Sequence, residues 1–385
     1  MIRLWFKLFY AVEFMGVGIF MPYLAVYFLR KGLTTAEVGT LLAVMPLSSF
    51  LVQPVWGVVS DKLNATKWLV TVGCWSTSIL VVILTTTNNF VYLILIVALM
   101  SVLRAPVHPN VAALALNHLE AKGKEEEYGK FRLWGSMGFV IATLFAGGLL
   151  FENRLTIVVY LYSGCMLILG FISLLLPDRC VSTEVRWRDG VQLIVTVPQL
   201  RSFLLGITLV GFTLGIVNQY LVVYLDELQA PGWIIGWTVA VSALPEVPLM
   251  NIAVKFIRRW GLRLVYLVGI SALPVRWLLN MLVTNPLAAL PVQALHGVAM
   301  SALLCVGIIY IDNMLPKVWR ASGQALYVSC LHGLGPAIGL FAAGMLMGFG
   351  GTRPIWGLCV LVGTLGCVIV NRAMREGSSH VPVVR

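Results

Sequence analysis

Twelve runs of apolar residues follow one another along the chain, each long enough to cross a bilayer. They fall near 5–29, 36–59, 67–87, 89–117, 130–151, 155–176, 200–225, 232–256, 263–284, 286–314, 321–348 and 353–373, with short polar turns between them. A run of this length spans hydrocarbon as an α-helix, because a helix bonds every backbone polar group within its own segment. The longest polar interruption, Pro177–Gly190, comes after the sixth run. The pattern therefore predicts an all-α membrane protein of twelve transmembrane helices. An N-terminal six-helix bundle covers 1–177, a cytoplasmic linker 178–198, and a C-terminal six-helix bundle 199–385. The halves echo each other: LFAGGLL (Leu144–Leu150) in the fifth run matches LFAAGML (Leu340–Leu346) in the eleventh at five of seven positions. Those are the two helices that a six-plus-six repeat superimposes.

Composition agrees with the pattern. The chain is 59% hydrophobic and 11% charged, where soluble domains carry about 25% charged residues. The net charge of +11 is used up by topology. With the N-terminus inside, all but six of the 27 Lys and Arg fall on cytoplasmic segments. Arg30, Lys31, Arg154 and Arg353 lie outside, and Arg104 and Arg276 lie within spans. Both termini are thus expected in the cytoplasm, with the chain multi-pass in the inner (cytoplasmic) membrane, and no nucleic-acid partner is needed. The opening MIRLWFKLFY is the basic flank of a first helix rather than a cleaved leader. Seven cysteines without a CxxC pair predict neither a disulfide framework nor a metal site. No nucleophile motif, Walker loop or channel filter is present, so neither an enzyme nor a cofactor is expected.

Chemistry then concentrates in the polar groups within spans. Arg276 lies inside the ninth run, Asn285-Pro286 closes that run, and the tenth carries Gln293 and His296 on one helix face. A bare charge in hydrocarbon costs somewhere between ~3 and ~15 kcal/mol, so Arg276 must face a partner or a watery cavity. Glu246 in ALPEVPLMN is the partner expected from the sequence. A carboxylate there, its proton affinity raised by burial and lowered by the arginine, is the first candidate for coupling to protons. Glu13 in FYAVEFMGVG is the second, with Arg104 of SVLRAPVHPN as its expected partner. His108 and His332, beside Pro and Gly breaks, fit packing or a site, and Asn218 and Gln219 offer a polar lining.

The turn Gly57-Val58-Val59-Ser60-Asp61-Lys62-Leu63-Asn64-Ala65-Thr66-Lys67 resembles the G-x-x-x-D-[RK]-x-G-[RK]-[RK] signature of the major facilitator superfamily, with Asn64 where glycine is usual. In that setting Gly57 permits close helix approach and Asp61 gates the two bundles. MPYLAVYFLRKGLTTAEVG, EEYGKFRLWGSMGFVIA and Gln293-Ala-Leu-His296-Gly are similar to the phenylpropionate-permease and nucleoside–proton symporter branch, related to lactose permease. That resemblance implies alternating access by two six-helix bundles and a monomer that binds a small organic solute and protons. It makes Arg132 a substrate-binding residue and matches Glu246, Arg276 and His296 to the carboxylate, arginine and histidine of helices 8, 9 and 10. Ala299 stands where lactose permease has its proton-carrying glutamate, so coupling must lie elsewhere. The implied function is proton-coupled import of a nucleoside, sugar or aromatic acid, with proton-driven efflux as the alternative.

Overall fold

In the computed structural model, the described residues are 2–63, 66–121, 123, 127–151, 155–177 and 187–377. Twelve helices among them are long and apolar enough to cross a membrane. They are α1 (Ile2–Arg30), α2 (Thr35–Leu63), α3 (Thr66–Ile83), α4 (Phe90–Glu120), α5 (Tyr128–Leu149), α6 (Leu155–Leu174), α7 (Pro198–Glu227), α8 (Gly232–Trp260), α9 (Leu262–Leu282), α10 (Pro286–Met314), α11 (Lys317–Met347) and α12 (Arg353–Gly377). The helix ends follow local chemistry. Asn89 caps α4 by accepting from the Val91 and Tyr92 amides. Asn285 caps α10 through Leu287, and Pro286 takes the first helical position, where its missing N–H costs nothing. Prolines also split two spans: α4 breaks between Arg104 and Val107, and α8 between Ala243 and Glu246.

Contacts group the chain into two compact units, Met1–Thr183 with Asn218–Ala240, and Glu184–Val217 with Val241–Arg385. The segment Asn218–Ala240, which the 199–385 division assigns to the second bundle, clusters with the first unit. The reason is local. Gly147 of α5 meets Gly232 and Gly236 of α8, leaving no room for a side chain at any of the three. Arg30 at the end of α1 pairs with Asp226 at 3.2 Å and donates to the Phe151 carbonyl at 2.6 Å.

Within the first unit, α1 lies against α5 and α6. Gly138 of α5 abuts the Ala11 carbonyl, and Phe20 of α1 stacks on Tyr162 of α6 at 4.3 Å. Without a hydrophobic force between helices in lipid, such close backbone approach is what holds spans together. In the second unit, α7 and α11 pack the same way, Gly335 and Gly339 meeting the Thr208 and Phe212 carbonyls. Trp277 of α9 stacks on Trp356 of α12 at 5.8 Å. A short helix in the linker, Trp187–Thr196, buries Leu193 and packs on the start of α11.

Candidate functional site

Each unit holds a buried charged residue with polar partners. In the second unit, Arg276 sits mid-way along α9 and is 1% exposed. Its Nε donates to the Gln293 Oε1 of α10 at 2.8 Å, and one terminal nitrogen donates to the same oxygen. The other terminal nitrogen lies 2.8 Å from His296 Nδ1. Arginine has no acceptor, so His296 Nδ1 accepts, and the ring proton of the neutral form sits on Nε2. Gln293 is oriented from behind: its amide nitrogen donates to Asn280 Oδ1 at 3.0 Å and to the Ala289 carbonyl at 3.2 Å. Asn280 lies one turn after Arg276 on the same face of α9, and that four-residue spacing is the signal by which sequence reasoning could have found it. The guanidinium also lies 4.9 Å over the Trp277 ring.

The arrangement corrects one expectation. Arg276 bonds to α10, and an ion pair with Glu246 is not among those of the described residues. The Pro245 break makes Glu246 the first residue of the second segment of α8, half-buried, with its backbone amide against Gly297. The Glu246 backbone thus lies beside the residue that follows His296 on α10. What remains at Arg276 is a fixed cation whose described hydrogen bonds go to neutral acceptors.

In the first unit, Glu13 of α1 is 4% exposed, and its Oε1 lies 3.0 Å from His108 Nδ1. Its Oε2 has no hydrogen-bond partner among the described residues. His108 is half-exposed and is flanked edge-on by the Tyr10 and Phe14 rings at 6.3 and 5.9 Å. Tyr10 bonds Tyr128 hydroxyl to hydroxyl at 2.9 Å. Here too an expected partner changes. Arg104 ends the first segment of α4 and lies over the Tyr162 ring at 5.8 Å, while the break at Pro106 turns His108 towards Glu13. A buried carboxyl joined to an imidazole is a pair that can hold a proton or pass it on.

The other residues singled out from sequence are placed as follows. Arg132, half-buried on α5, lies 5.6 Å over Phe14, on the same face as the Glu13 cluster. Gln219 is buried with its Oε1 unpartnered among the described residues, and Asn218 beside it is exposed; both belong to the first unit. Gly57 is exposed, and among the described residues nothing lies within reach of a Cβ there. The side chain of Asp61, together with Asn64 and Ala65, lies outside the described residues. His332 falls in a π-helical turn, Cys330–Leu334, so α11 runs on where the Gly-Pro sequence suggested a break.

The MFS_1 like family is matched across residues 3–358. Among curated relatives, the chain is 26% identical to the Uncharacterized transporter YwbF of Bacillus subtilis, over 89% of this chain and 86% of that one. It is 24% identical to the Maltose permease of Geobacillus stearothermophilus (96% and 94%) and 25% identical to the Probable 3-phenylpropionic acid transporter of Escherichia coli (91% and 93%). The crystal structure of the nucleoside transporter NupG superimposes with a TM-score of 0.83 at 18% identity, over 97% of this chain and 98% of that one.

Proposed function

The chain belongs to the MFS_1 like family, and from that premise we propose that it is a proton-coupled symporter importing a small organic solute. At the coarser level it is a multi-pass transporter of the major facilitator fold, with twelve spans and permeases as relatives. The solute is a nucleoside, sugar or aromatic acid, and the protein works as a monomer in the inner membrane with both termini cytoplasmic. The observation that carries this reading is the Arg276–Gln293–His296 cluster, a buried cation hydrogen-bonded to neutral acceptors. Arg276, Gln293 and His296 bind the solute in the second unit, and Arg132, Asn218 and Gln219 add polar contacts from the first. Asp61, on the turn after Gly57, gates the cycle.

The proton is carried by Glu13 and relayed by His108, since these two form a direct carboxyl–imidazole bond. Glu246, near His296, is the other carrier. Relatives named as a maltose permease and a probable 3-phenylpropionic acid transporter support a hydroxyl-rich or carboxylate solute. Efflux is the second reading, favoured by the same Glu13–His108 pair, because a buried acid in α1 serves an antiporter equally well. One experiment separates the two. Vesicles held acidic outside should concentrate the solute as protons enter with it, and vesicles held acidic inside should not. Accumulation only with an acidic lumen, where protons leave as the solute enters, establishes proton-driven efflux instead.

A further inference from the structure

The second unit carries a crevice that the transport site does not use. It has a volume of about 380 Å³ and lies between α8, α9 and α10. Leu249, Phe256 and Trp260 of α8, Val265 and Gly269 of α9, and Val298 of α10 form its walls. The floor is close-packed, with Gly269 against the Ala302 Cβ. From Leu249 to Trp260 the α8 wall runs roughly 16 Å at 1.5 Å per residue, about half the thickness of the hydrocarbon. Its rim is apolar and open: Trp260, Leu264 and Val268 are 53%, 52% and 59% exposed. An open apolar groove of this length on a span fits an acyl chain.

One end of the groove is strongly basic. Lys255, Arg258 and Arg259 are exposed and take part in no ion pair among the described residues. No Asp or Glu occurs between Glu246 and Asp312 to neutralise them. Arg259 is tied to the groove itself, its guanidinium 5.8 Å from the ring of Trp260, which in turn stacks on Phe256 at 4.9 Å. Arg263, by contrast, is turned away to Asn371 of α12 at 2.6 Å. Apolar walls, an aromatic lip and the Arg259 guanidinium at that lip, with two further cations on the same helix, match the three parts of an anionic phospholipid: acyl chain, glycerol region and phosphate headgroup.

We propose that this crevice is a binding site for one anionic phospholipid, its acyl chain between α8, α9 and α10 and its phosphate on Arg259 at the lip, with Lys255 one turn before it and Arg258 adding to the local positive field. The site is independent of the transport reading. Tryptophan emission tests it directly, because bromine on an acyl chain quenches a tryptophan it touches. Full-length protein and Trp260→Phe are reconstituted in vesicles holding equal mole fractions of brominated phosphatidylglycerol or brominated phosphatidylcholine, and the Trp260 share is the difference between the two proteins. The expected result is that phosphatidylglycerol quenches Trp260 at least threefold more effectively than phosphatidylcholine. Lys255→Gln with Arg258→Gln and Arg259→Gln should remove that preference, and Lys317→Gln, another exposed cation, should keep it. As a check that needs no variant of the cations, raising salt should shrink the preference of the unaltered protein. Equal quenching by both lipids, or a preference untouched by the triple substitution, overturns the proposal.

Discussion

At Arg276 one guanidinium satisfies two acceptors, and its shape decides what can replace it. The fork reaches Gln293 with two nitrogens and His296 with the third. A lysine keeps the charge but presents a single point, so it leaves at least one acceptor bare in a buried place. Arg276→Lys is expected to weaken equilibrium solute binding by ten-fold or more, about 1.4 kcal/mol, in a calorimetric titration. Unchanged affinity would remove Arg276 from the site. Glu13 calls for a different measurement. Glu13→Gln cannot carry a proton, so accumulation driven by a proton gradient should vanish while solute exchange at equal pH persists, exchange needing no net proton movement. If Glu13→Gln accumulates normally and Glu246→Gln does not, the carrier is Glu246. These two clusters differ in how far the sequence shows them. Arg276, Gln293 and His296 stand out because a charge in an apolar run demands partners and Gln293-x-x-His296 puts two on one face. The link to Glu246 fails because Pro245 places that acid at a helix start beside Gly297, a position no spacing reveals. Glu13 and His108 are 95 residues apart, and only the turn at Pro106 brings the imidazole rather than Arg104 to the carboxyl.

Among the helices, packing rests on places where a side chain is forbidden. A Cβ at Gly138 would run into the Ala11 carbonyl of α1, and backbone cannot yield as a side-chain tip can. Gly138→Ala should therefore push α1 from α5 and lower stability by about 1–3 kcal/mol, the range for overpacking a tight contact. Gly164→Ala on α6, where a Cβ meets open space, is the matched control and should leave the thermal midpoint in detergent where it was. Equal midpoints for both variants would show that α1 and α5 adjust without strain. All twelve spans are readable from hydrophobic runs, and the α10 start from its Asn-Pro cap. The π-helical turns at Ala146–Leu150, Ala302–Val306 and Cys330–Leu334 are not, because a shifted backbone hydrogen bond leaves the apolar pattern intact. Nor does the echo between α5 and α11 extend to them: the turn in α5 lies inside LFAGGLL, while that in α11 precedes LFAAGML. The linker helix is hidden for the opposite reason, its 10 residues being too short and too polar to register as a run.

For the molecule as a whole, the segment Asn218–Ala240 matters most, because it is chain from the second half that clusters with the first unit. Two contacts hold it there: Arg30 to Asp226 at 3.2 Å, and Gly147 of α5 against Gly232 and Gly236. In the proposed alternating-access cycle the two six-helix halves of the chain part and rejoin, and each of these contacts is then expected to open and re-form. The ion pair is exposed and worth little on its own, on the order of 0–1 kcal/mol, which suits a contact that must break often. The glycine contact supplies shape instead, admitting the helices closely without a side chain to pull free. A covalent tie across the ion pair is therefore the decisive perturbation. In protein whose seven native cysteines are replaced by serine or alanine, Arg30→Cys with Asp226→Cys is joined by a short bis-methanethiosulfonate, each thiolate displacing one sulfinate to leave a reducible disulfide. The joined protein should lose transport and exchange almost completely and regain both on reduction, while each single-cysteine protein treated alike keeps its activity. Full-rate exchange by the joined protein would mean that this end stays closed throughout the cycle, and the movement that carries the solute would have to lie elsewhere in the fold.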